Sequence, residues 1–86
     1  MSLYLVSYEL AHSNEFSEYE YFYKEMQKFR AQRVMQNLGV LRSSLNAETI
    51  RNALVKFVHG DDRILVVEIN RANWAGWKAT AEITDA

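Results

Sequence analysis

Two runs of strand character, residues 3–10 and 63–69, lie near opposite ends of the chain, and any fold it adopts must bury both. The first is dense in aliphatic and aromatic residues and stops at the polar stretch Ala11, His12, Ser13, Asn14. Because strand side chains alternate, Leu3, Leu5, Ser7 and Glu9 share one face while Tyr4, Val6, Tyr8 and Leu10 share the other. One face is therefore wholly apolar. The other turns polar towards its end, where Glu9 sits. The second run, Arg63 to Ile69, is almost continuously apolar apart from Arg63 and Glu68, as expected of a strand covered on both sides. These two runs are expected to pair in the middle of a sheet.

Between them the period changes. Phe16, Tyr19, Phe22, Tyr23, Met26, Phe29 and Arg30 recur at three-and-four spacing, which predicts an amphipathic helix over about 14–32. Ser17 followed by Glu20 fits a capping box, with Ser13 or Asn14 as alternative caps. Acidic residues occupy its early turns and basic residues its later ones, matching the helix dipole. Residues 33–43 read as a short hairpin in which Asn37 and Gly39 mark the break. Asn46 is expected to cap a second helix over 47–59, with Ile50, Ala53, Leu54, Phe57 and Val58 as its stripe and Gly60 as a left-handed terminator. Asp61 and Asp62 then form the turn into the last strand. The element order predicts an α+β, ferredoxin-like βαββαβ sandwich: an antiparallel sheet with two helices on one face and a C-terminal extension. The expectation is a single domain over 1–86, with a polar tail from about 79 to 86.

Composition narrows the chemistry. With 86 residues, 49% hydrophobic and 13% aromatic, the chain has material for one packed core. The count of 0 Cys removes disulfides, thiolate nucleophiles and cysteine-ligated zinc. No apolar stretch approaches bilayer length and no secretory leader is visible, so the expectation is a cytoplasmic protein without a membrane role. The 10 basic and 11 acidic residues give a formal net charge of -1, so any basic surface must be local.

Several segments resemble known sequences. Residues 3–10 resemble the first strand of the CRISPR-associated protein-two family and of related small proteins often labelled SinR-like, in which an aliphatic-aromatic strand ends in an acidic residue. Arg33-Val34-Met35-Gln36-Asn37-Leu38 resembles that family's second-strand motif. Residues 47–54 and 61–69 look like the second helix and last core strand of the SinR-like group, and Ala72-Asn73-Trp74-Ala75-Gly76 resembles its C-terminal Trp-x-Gly signature. The resemblance implies a homodimer in which the acidic residue ending strand one, from each subunit, holds a divalent cation, Mg2+ or Mn2+, at the interface. Nuclease-active members use Asp there, whereas this chain has Glu9. A Glu remains an oxygen ligand, but its extra methylene displaces the charge by about a bond length, where catalysis demands placement within about 0.5 Å. Gly39 stands near the place of the aromatic residue that usually follows the second-strand motif.

Weighed singly, Glu9 is the one candidate for metal binding and catalysis, and one carboxylate per chain needs a two-fold partner. Lys24, Lys28, Arg30, Arg33 and Arg42 form the candidate nucleic-acid surface, against the alternative of a solvated helix flank. Trp74 and Trp77 are candidates for the dimer interface. His12 and His59 lack a nucleophile nearby in sequence, and His59 has a helix-end explanation. Tyr21 alone among the helix aromatics falls clearly off the apolar stripe. Three functions follow as expectations: a dimeric CRISPR-associated protein-two-like module binding a nucleic-acid backbone or a protein, with weak or no catalysis; a metal-dependent endonuclease using Glu9 from both subunits; and a regulatory protein-interaction domain.

Overall fold

The computed structural model describes residues 1–12, 16–69 and 75–79, with the side chains of residues 16 and 17 excluded. The order is β1 (Ser2–Glu9), a 3-10 turn (Phe16–Tyr19), α1 (Glu20–Lys28), β2 (Gln32–Met35), β3 (Leu38–Ser43), α2 (Ala47–Val55) and β4 (Arg63–Ile69). The strands form one sheet in the order β2-β3-β1-β4, with each neighbouring pair antiparallel. This is the α+β, ferredoxin-like arrangement that the element order predicts. No helix among the described residues is long and apolar enough to cross a membrane.

The alternation read in β1 determines the layers. Tyr4, Val6, Tyr8 and Leu10 are buried with Leu41 of β3 against Phe22 and Met26 of α1 and Ile50 and Leu54 of α2. Both helices therefore cover the same face. The opposite face carries a smaller cluster, Leu3, Val34 and Val40, flanked by Leu38 and Ile69. The Tyr4 hydroxyl donates to the Leu45 carbonyl at 2.7 Å, tying the central strand to the loop that enters α2.

One strand position differs from expectation. β1 and β3 occupy the middle, while β4 pairs only with β1 and forms an edge. An apolar run reports that both faces of a strand are apolar, not that it has two neighbours. On β4, Ile64 and Val66 pack towards the helices, whereas Leu65 and Val67 on the other face are 59% and 39% exposed.

Helix ends also depart from the sequence pattern. Asn46 caps α2 as expected, its side chain accepting from the Thr49 amide at 2.8 Å. The α-helix stops at Val55, and the chain continues in tighter turns, with the Phe57 amide donating to Leu54 and the Val58 amide to Val55. Gly60 is not left-handed. α1 begins at Glu20 after the 3-10 turn, and its cap residue, Tyr19, makes no side-chain capping bond. Its other end is a Schellman turn: the Arg30 amide donates to Gln27 at 2.8 Å and the Ala31 amide to Met26 at 3.0 Å. That turn requires a left-handed residue, and Arg30 adopts it with φ 57. A side chain in this region costs roughly 1–2 kcal/mol, which explains why glycine is the usual occupant.

Gly39 does not mark the hairpin break either. The turn falls on Gln36 and Asn37, and Gly39 lies inside β3, buried. A Cβ built there would stand 2.9 Å from the Met26 terminal methyl, so the missing side chain lets α1 sit close to the sheet.

Leu54→Ala is expected to cost about 2–5 kcal/mol through cavity formation, and Asn46→Ala about 1 kcal/mol through the lost cap. Urea unfolding should show both as a lower midpoint with an unchanged slope. A smaller loss at Leu54 than at Asn46 would contradict the placement of α2 over the core.

Candidate functional site

The register separates the proposed site residues between the two ends of the sheet. Glu9 ends β1 opposite Arg63, exposed on the face without helices. It borders a shallow depression with Asp61 and Arg63. Among the described residues, no three His, Cys, Asp or Glu side chains are grouped so that they could hold a metal ion.

The basic candidates lie towards the other end and along the edge. Lys24 and Lys28 are exposed on α1 and pair with Glu20 at 3.5 Å and Glu25 at 3.4 Å. The Lys24 ammonium also stands 5.2 Å from the centre of the Tyr21 ring, which is exposed as expected. Arg33, on β2, lies 5.6 Å from the Tyr23 ring centre. The Tyr8 hydroxyl is the main influence raising the Arg33 pKa further, with Tyr23 contributing less. Burial is the first cause raising the Tyr23 phenol, with Arg33 opposing it. Arg33 thus has a structural duty in addition to any contact outside the chain. Arg42, half-buried on β3, and Arg30, beyond α1, border one depression of about 280 Å³ with Gln32, over Leu3, Val40 and Leu41. Trp74 lies outside the described residues; Trp77 is 82% exposed, with the Lys78 ammonium 5.6 Å from its ring centre.

At the Glu9 end, the fold assembles a polar cluster that no sequence spacing reveals. Asp62 enters it from the α2–β4 turn. Its Oδ1 accepts from the Ala11 amide at 2.7 Å and the Tyr19 hydroxyl at 2.9 Å, and its Oδ2 accepts from the His59 amide at 2.7 Å. The buried Tyr19 hydroxyl in turn accepts from the His12 amide at 3.0 Å. His12 Nε2 lies 3.4 Å from Asp61, His59 Nε2 lies 2.9 Å from Glu18, and the imidazoles meet edge-to-face with centres 4.7 Å apart. The only two histidines, treated separately in sequence, are thus neighbours. This network fastens the loop after β1 to the turn before β4. Asp61 and Asp62 are turn residues as expected, and Asp62 is also the acceptor that organises the junction.

Desolvation would raise the Asp62 pKa, but the His59 and Ala11 amides and the Tyr19 hydroxyl outweigh it and hold the carboxyl below its ordinary value. Burial raises the Tyr19 phenol, assisted by the carboxylate it bonds and opposed by the His12 amide.

The fold and geometry define a small α+β, ferredoxin-like domain with an acidic cluster at one end of its sheet and a two-arginine depression at the other. No protein-family model matches this chain, and no curated protein matches it.

A depressed carboxyl pKa stabilises the fold fully above the unfolded Asp value of about 3.9, and that contribution disappears as pH falls through the folded value. Wild type should therefore exceed Asp62→Asn in thermal stability by a constant margin from about pH 5 to 7, narrowing below about pH 4. A margin independent of pH down to about 2 would show that Asp62 ionisation does not support the junction.

Proposed function

We propose that the chain is the protomer of a homodimeric CRISPR-associated protein-two-like module that holds a nucleic-acid backbone, with weak or no catalysis of its own. The observation that carries this reading is a local grouping of basic side chains in a nearly neutral molecule, although Lys24 and Lys28 also pair with Glu20 and Glu25 on the same helix. Lys24, Lys28, Arg30 and Arg33 occupy α1, its end and the edge strand β2, and Arg42 lies on the adjoining β3. Glu9, Glu18, Asp61 and Asp62 gather around the other end of the sheet. A local row of cations suits a polyanion without requiring a basic chain overall.

The helix-free sheet face supports the dimer. Leu65 and Val67 of β4 and Met35 of β2 remain exposed beside the buried Leu3, Val34 and Val40. A second copy stacked there would remove them from water. The same face carries Glu9, which favours the endonuclease as second reading: two-fold stacking is the route by which two such carboxylates could share Mg2+ or Mn2+. That the chain also belongs with the SinR-like proteins, or acts in the cytoplasm, is part of this proposal.

Fluorescence anisotropy should show duplex binding that weakens as salt rises, with little sequence preference. In the Lys24→Ala/Lys28→Ala variant the slope of log K against log salt should become shallower by about 2, roughly 0.9 for each phosphate no longer neutralised. Sedimentation equilibrium on the same sample should give a dimer mass. No binding at low salt would remove the nucleic-acid reading, and a monomer would remove the two-fold one.

For the second reading, Glu9→Gln should abolish Mg2+- or Mn2+-dependent cleavage while leaving the dimer intact. Cleavage that persists at the wild-type rate would exclude Glu9 as the metal ligand.

A further inference from the structure

The sheet has two edges, and they are built differently. β2 has four residues, its pairing with β3 shifts between Arg33 and Met35, and it exposes Gln32 and Arg33. A short, irregular, charged edge resists the addition of another strand. β4 lacks those defences along its middle. Its seven residues pair in one unbroken register with β1, the stretch from Ile64 to Val67 is apolar, and the chain has 0 Pro. Among the described residues no strand pairs with its outer side. The backbone N–H and C=O groups that point away from β1 therefore form an open template. Of its side chains, Ile64 and Val66 pack towards the helices, while Leu65 and Val67 are exposed on the helix-free face.

We infer that the outer edge of β4 pairs antiparallel with β4 of a second copy of this chain, about a two-fold axis at Val66, so that one sheet runs through both copies. A two-fold contact brings residue i against j and j against i. Full use of the seven residues turns on the middle one, Val66, and sets Leu65 across from Val67 of the second copy and Val67 across from its Leu65. The two exposed aliphatic residues of the strand thus meet each other twice, which selects a copy of this strand as the occupant. On the helix side, Ile64 comes across from Glu68 of the second copy. Ile64 shares a groove with Val55 and Arg51 of α2, so the incoming carboxylate enters beside a cation that now contacts its helix neighbours Asn52 and Glu48. Asp62 lines that groove too, but its oxygens already accept from two amides and a phenol. Other registers fit less well. Turning on Leu65 would set Asp62 against Glu68, two like charges, and turning on Val67 would set Glu68 against Val66; both leave the strand ends unpaired. A slip of one residue presents each row to the wrong face. The contact lies along the edge of the sheet, so it goes beyond the stacked dimer and needs no nucleic acid.

The deciding experiment is disulfide trapping. The chain has 0 Cys, so a single introduced cysteine can bridge only two copies. In this pairing the two Val66 positions face each other directly, with Cα atoms about 4.5–5.5 Å apart, inside the disulfide range of about 4.4–6.8 Å. The two Val67 positions are offset along the strands by about 7 Å in addition, which places them beyond that range. Under mild oxidation of the full chain, Val66→Cys should form a covalent dimer at least tenfold faster than Val67→Cys. A mixture of the Leu65→Cys and Val67→Cys proteins should form the mixed dimer at least tenfold faster than either forms its own, as read by mass spectrometry. Val66 lies on the helix side of the sheet, so stacking of the helix-free faces does not produce the first result. Val67→Cys outpacing Val66→Cys would overturn the proposal in favour of the stacked dimer. Equal rates at the three positions, or no enrichment of the mixed dimer, would overturn it as well. If circular dichroism under reducing conditions shows that Val66→Cys does not fold, the mixture decides alone, because Leu65 and Val67 are exposed. Duplex binding is measured separately on the reduced wild type, so its failure removes the nucleic-acid reading and leaves this contact standing.

Discussion

The position of β1 between β3 and β4 is the constraint on which the other elements depend. Its helix-facing residues, Tyr4, Val6, Tyr8 and Leu10, are all buried and meet side chains from both helices. Each large side chain removed from water contributes about 1.5–3 kcal/mol, so this one row holds a substantial share of the core's hydrophobic stabilisation. Tyr4 and Tyr8 also bear hydroxyls, and each is used. That of Tyr8 favours the charged Arg33, and that of Tyr4 donates to the loop before α2. Burying tyrosine rather than phenylalanine here fixes the direction of neighbouring segments as well as filling volume.

The same strand keeps the two ends of the sheet chemically distinct. Its first residues lie beside Arg42 through the Leu3 pairing, and its last residue lies beside Arg63 and the Asp61–Asp62 turn. The junction uses its negative charge internally: Asp62 satisfies two exposed backbone amides and the hydroxyl of the buried Tyr19. The depression bordered by Arg30 and Arg42 has no carboxylate among its described lining residues.

Local periodicity made much of this architecture legible. The alternation in residues 3–10, the cap at Asn46 and the limits of the last strand depend on neighbours in sequence, and each has its counterpart in the fold. The features that were not legible depend on partners distant in sequence. The edge position of β4 is decided by which strand pairs on its other side. Gly39 owes its identity to Met26 across the layer, and the meeting of His12 with His59 follows from two loops sharing one end of the sheet. Of the candidate site, Glu9 was readable as a strand-end carboxylate, and Tyr21 as an outward aromatic. The shared border of Arg30, Gln32 and Arg42 was not readable, because it joins a helix end to two strands.

The two helix ends show how a departure from a local rule can be informative. After α2, Gly60 stands where a left-handed residue is expected and does not adopt that conformation; the chain closes the helix with shorter hydrogen-bonded turns instead. After α1, the left-handed conformation is required and an arginine adopts it. Glycine would relieve the turn, so turn stability cannot be the reason for the arginine. Packing cannot be the reason either, because Arg30 is exposed. Arg30 does border, with Gln32 and Arg42, the depression beside Leu3 and Val40.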